Sequence, residues 1–130
     1  MTNLITDKDE EERRLKALAE YRILGTEPES CYDDITQIAA RTCHVPISLM
    51  TLVDKDRQWF KSKVGFQTNE TRRDWSFCTH AIKENYPLVV NDAYLDKRFV
   101  NNPLVTGDPK IRFYAGFPLK NNDGNKLGTL

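Results

Sequence analysis

No apolar run in these 130 residues approaches the roughly 20 needed to span a bilayer. No basic-then-apolar leader opens the chain. Net charge is absent as well: 19 Lys and Arg balance 19 Asp and Glu. That argues against general nucleic-acid binding, which needs a positive field along the phosphate backbone. Cysteine is scarce and odd in number, with only Cys31, Cys43 and Cys78. Without paired spacing these read as free thiols in a reducing compartment, so a cytoplasmic location is expected. Only two histidines are present, His44 and His80, and neither has a matched nucleophile. No Cys-x-x-Cys or second His cluster completes a zinc set, and the six glycines are too scattered for a phosphate loop. No complete catalytic set is visible, and no metal is expected.

What is there is ordinary for a folded domain: 39% hydrophobic and 29% charged residues. The length suits one domain with one real core. Residues 9–24 read as a helix with two apolar seams, Leu15, Leu18 and Ala19 on one side and Ala17, Tyr21 and Leu24 on another. Gly25 is the expected terminator, with Pro28 just beyond. Residues 31–43 read as a second helix capped by Ser30, with Ile35, Ile38 and Ala39 inward and Pro46 ending it.

Residues 47–53 are apolar on both alternating faces, which suits a central strand covered on both sides. Asp54, Lys55 and Asp56 turn the chain into a partner strand at 57–64. Residues 65–73 are polar and read as a loop. Asp74 or Ser76 caps a helix running to about Asn85, and 88–91 is a short strand. The long connection 93–107 is expected to hold a helix near 95–101. Residues 111–119 alternate, with Ile111, Phe113, Ala115, Phe117 and Leu119 on one face; Arg112 and Tyr114 fall on the other, as a sheet-surface pair. Asn122, Asp123 and Gly124 signal a hairpin into 126–130. An antiparallel sheet with helices on it accommodates this order.

Short segments through nearly the whole chain resemble a GAF domain, a small sensor module. They include Ile23-Leu24-Gly25-Thr26, Val45-Pro46-Ile47-Ser48, Arg57-Gln58-Trp59-Phe60-Lys61-Ser62, Phe77-Cys78, Asp96-Lys97-Arg98-Phe99 and Ile111 to Leu119. The resemblance is to domains found N-terminal in bacterial sensor histidine kinases and diguanylate cyclases. It implies an α+β fold with helices on both faces of an antiparallel sheet. It implies a single domain over 1–130, with an N-terminal helix and linker at 1–29 and the sheet core at 30–130. A complete domain of this family continues past Leu130, so the expected fold lacks part of its last strand and a C-terminal helix. A shortened core strand leaves unpaired edge groups, and marginal stability or pairing with a second copy is expected.

The resemblance also implies a pocket between the sheet and the segment at 71–107. Candidate pocket residues are Phe77, Cys78, His80, Asp92, Phe99 and Phe113. Each has a structural reading: the aromatics as core, Asp92 as a cap, His80 as a hydrogen-bonding partner, Arg98 paired with Asp96. Cys78, in the first turn of its helix, is the candidate redox thiol. Cys31 and Cys43 are expected behind the sheet, away from the pocket, which leaves Cys78 without a resolving partner. Bilin-binding relatives attach their tetrapyrrole to a Cys commonly followed by His; Cys78 precedes Thr79, so covalent bilin attachment is not expected. No Arg or Asn placement singles out a cyclic nucleotide, and the cofactor stays unknown. The function expected is small-molecule or redox sensing in bacterial signal transduction, passed by terminal helices to an output domain of a homodimer. A ligand-free dimerisation module and a thiol-dependent enzyme using Cys78 are the alternatives.

Overall fold

The computed structural model describes residues 7–130. Two helices come first, α1 (Asp7–Glu20) and α2 (Ser30–Cys43), then the hairpin β1 (Ser48–Val53) and β2 (Arg57–Val64). A short β3 (Glu70–Arg72) and α3 (Phe77–Ala81) follow, then β4 (Leu88–Val90), α4 (Pro103–Thr106), β5 (Tyr114–Gly116), β6 (Pro118–Lys120) and β7 (Lys126–Thr129). The main sheet has five strands in the order β3-β2-β1-β7-β6, and β4 pairs with β5 in a separate ribbon. Every pairing is antiparallel.

Successive side chains on a strand point to opposite faces, and β1 uses both. Leu52 packs with Ala17 and Leu18 of α1, Trp59 and Leu127. Its neighbour Val53 packs with Cys78 and Ile82 on the α3 side. The sheet therefore has helices on both faces. A third cluster joins Phe77, Ala81, Leu88, Val90, Ala93, Phe99 and Val105 beyond the sheet.

The β1–β2 register slips beside Lys61: Thr51 faces Phe60, whereas Met50 faces Ser62. Such a bulge re-aims the side chains that follow it. Ser62 now meets α2, its hydroxyl 2.7 Å from that of Thr36 and donating to Asp33 Oδ1 at 2.5 Å. Lys61, with its side chain 0% exposed, donates to Thr26 Oγ1 at 2.7 Å and Glu27 O at 2.6 Å and pairs with Glu29 at 2.7 Å. These bonds fasten the α1–α2 linker to the sheet. At the centre, β7 lies close against β1: a Cβ on Gly128 would sit 1.8 Å from Thr51 O, so only glycine fits.

Several expectations need correction. The first helix stops at Glu20, before Gly25, because Arg22 takes φ 50 and turns the chain. Ala17 and Leu18 bury together with Arg14, while Tyr21 is exposed, so the two predicted seams do not hold. In α2 the buried positions are Thr36 and Ala40, and Ile35 and Ile38 face outward. The Thr36–Ser62 bond sets that rotation, which apolar spacing alone could not reveal. Glu29, not Ser30, is the N-cap of α2, and His44 ends the helix in the left-handed region, ahead of Pro46. Part of the predicted loop at 65–73 is β3, paired to β2.

Ser76 does cap α3, accepting from Thr79 N at 3.2 Å, but the helix ends at Ala81. The helix expected at 95–101 lies instead at 103–106, where Asn102 accepts from Leu104 N and Pro103 occupies the first turn. Residues 111–119 are not one strand. Residues 114–116 bond to β4, then Phe117 exchanges backbone bonds with Leu130 and the chain joins the main sheet. That switch leaves Phe113 and Phe117 exposed and turns Tyr114 inward, the reverse of the expected faces.

Candidate functional site

A cavity of about 690 Å³ opens between the main sheet and the segment leading into β5. Thr51, Phe60 and Thr129 form its sheet wall, Phe77 and Cys78 of α3 bound it, and Ile111, Phe113, Tyr114 and Phe117 line the other side. β7 pairs with β1 only at Thr51 and Leu52, and the β1 residues Ser48 and Leu49 also border the cavity.

Local chemistry fixes these positions. The Ser76 hydroxyl, besides capping α3, donates to Gln58 Oε1 at 2.7 Å and so ties the helix start to β2. Asn102 Nδ2 donates to Trp75 O at 2.9 Å, which holds α4 against the turn before α3. Thr129 Oγ1 donates to Cys78 Sγ at 2.9 Å, and the Tyr114 hydroxyl lies 3.3 Å from the same sulfur. Burial, and next the adjoining Cys78, push the Tyr114 phenol well above its ordinary range, so it stays a neutral hydroxyl. Among the described residues no buried side-chain nitrogen or oxygen lacks a partner.

Of the six residues proposed from sequence, Phe77, Cys78 and Phe113 line this cavity; His80, Asp92 and Phe99 do not. Phe99 backs the wall, stacked on Phe77 at 4.2 Å between ring centres. His80 packs edge-on against Phe99 at 4.9 Å. Burial, then Lys83 and Arg98, hold its imidazole below the usual value. Asp92 caps the turn at Ala93–Leu95, accepting from Tyr94 N at 3.0 Å, and Asp96 pairs with Arg98 at 2.8 Å on the surface.

Tyr114, Phe60 and Thr129 are cavity residues that sequence reading missed. Their long-range partners carry no local signal, although Phe60 and Tyr114 stand within resembling segments. Cys43 corrects a further expectation: it is exposed at the end of α2, yet it also borders the cavity. Cys31 does not. Among the described residues no group of three His, Cys, Asp or Glu side chains is placed to hold a metal, and no helix is long and apolar enough to cross a membrane.

Comparison with known proteins places this geometry. The family model for the GAF domain matches residues 27–130. A cyclic di-GMP phosphodiesterase of Pseudomonas aeruginosa is 37% identical over 122 residues, covering 94% of this chain. The match takes in 21% of that relative, so this chain spans about a fifth of its length. Among solved structures, a type II free methionine-R-sulfoxide reductase from Thermoplasma acidophilum superposes with a TM-score of 0.61 at 14% identity, over 86% of this chain and 73% of that one. The GAF domain of A. aeolicus nlh2, in an inactive state, gives 0.58 at 13% identity, over 94% and 77%. At such identities these two speak for the fold alone. With the family model covering most of its length, this chain belongs to the GAF domain family.

Proposed function

We propose that this chain is the sensing module of a bacterial signalling protein: a small molecule occupies the cavity, and occupancy biases a neighbouring output domain. The observation that carries the reading is the cavity itself, about 690 Å³ and walled largely by apolar side chains, aromatic rings among them, within the size range of small-molecule sites. The Pseudomonas relative adds context, since its name ties it to cyclic di-GMP turnover. A domain acting on that messenger is the output we favour. Transmission runs through terminal helices, by a shift between two packings of α1 and its neighbours. A homodimer is part of the proposal: Tyr21, just after α1, is 56% exposed, and Ile35 and Ile38 are 44% and 64% exposed on α2, leaving apolar area for a second copy.

Thiol chemistry is a second reading with one observation of its own, that Cys78 and Cys43 border the same cavity. Native mass spectrometry beside a denatured control tests both readings and the oligomer. A non-covalent added mass supports sensing and weighs the ligand. A covalent mass lost in Cys78→Ser supports the thiol reading. A clean dimer that takes up no ligand from an extract sinks sensing in favour of a pure dimerisation module.

A further inference from the structure

We infer that the cavity takes an uncharged, largely apolar molecule bearing a ring system, and not a nucleotide or another phosphate ester; this rests on the sensing reading above. Six aromatic rings line the space: Phe60, Phe66, Phe77, Phe113, Tyr114 and Phe117. Phe113 and Phe117 are 54% and 58% exposed, an apolar surface that a flat ligand would cover. Among the described residues no Asp or Glu lines the cavity, and the only cationic side chains there belong to Lys110 and Arg112, both exposed residues. Arg112 is already committed: Nη1 donates to Val105 O at 2.9 Å and Ile111 O at 3.0 Å, and the guanidinium lies 5.0 Å from the centre of the Tyr94 ring.

Two of the interior polar side chains, Gln58 and Thr129, are engaged in the same way. Gln58 bonds Thr71 and Ser76, and the Thr129 hydroxyl donates to Cys78. A phosphate drawn into this space would give up its water for largely apolar walls, with no buried cation among the described residues to replace it. A neutral ring loses little on entry and covers the exposed phenylalanines. One polar atom at most is needed, where Tyr114 and Cys78 meet.

N-phenyl-1-naphthylamine, a neutral fluorescent probe, tests the class on the whole chain, with cyclic GMP and cyclic di-GMP as phosphate probes. The expected result is saturable one-to-one fluorescence gain that millimolar cyclic nucleotide does not displace. Phe113→Glu weakens binding by about tenfold or more, because it sets a charge at the apolar mouth. Leu95→Glu, at a residue 79% exposed and outside the cavity lining, leaves it unchanged. Circular dichroism of each variant checks the fold. Displacement by either cyclic nucleotide overturns the ligand class while sensing stands. Loss of binding in Leu95→Glu but not in Phe113→Glu moves the site to the turn at 93–95 and overturns the inference. If neither kind of probe binds, the sensing reading falls with it.

Discussion

Thr129 and Cys78 are joined side chain to side chain, the Thr129 hydroxyl donating to Cys78 Sγ at 2.9 Å across the gap between β7 and α3. The bond closes the inner end of the cavity and keeps the thiol covered. Cys78 is buried, whereas Cys31 and Cys43 are exposed. A thiol titration of the native protein is therefore expected to show two fast groups, with the third appearing only on unfolding. Thr129→Val removes the donor, and the third thiol should then react measurably faster in the native state. Equal rates for all three thiols in the unaltered protein would contradict the packing.

Two of the three phenylalanines proposed for the pocket should behave oppositely. Phe99 is 1% exposed and stacked on Phe77, so Phe99→Ala is expected to cost about 3–5 kcal/mol in urea unfolding. Phe113 is 54% exposed, and Phe113→Ala should cost less than about 1 kcal/mol while weakening probe binding.

That contrast shows how far the sequence could be read. Turns and caps carried local chemistry, so the hairpin at 121–125 and the Ser76 cap were legible. Both faces of β1 were legible too, because apolar residues fill both alternations. The face of α2 was not, since a bond from Thr36 to Ser62, 26 residues away, outweighs the Ile35 and Ile38 spacing. Nor was the break at Phe117, which depends on backbone bonds to Leu130. Tyr114 followed from that break: an alternating pattern assigned it to the outside, and a change of sheet turned it in.

Lys61 offers a third check. Its ammonium is fully enclosed by Thr26, Glu27 and Glu29. Lys61→Met strands the Glu27 carbonyl and should cost about 1–3 kcal/mol. Amide exchange should rise across residues 21–29, where the linker loses its tie. Glu29→Gln should cost under about 1 kcal/mol, because that side chain is 55% exposed.

Acid stability gives a fourth. Hydrogen bonding to Arg14, and further to Arg73, lowers the Glu11 carboxyl from 4.5 to about 2 against an opposing effect of burial. Its contribution is complete above the unfolded value of 4.5 and is lost as pH falls towards 2. Glu11→Gln should flatten that part of the urea midpoint's fall with pH, and an unchanged slope would count against the pairing.

The most direct test of the central claim is an amide NMR titration with N-phenyl-1-naphthylamine. Binding in the cavity predicts shifts at residues 111–117 and 127–130 and at Phe77 and Cys78, with α2 residues Ile35 and Ile38 unmoved. Shifts confined to the outer face of α2, with the cavity residues silent, would contradict it.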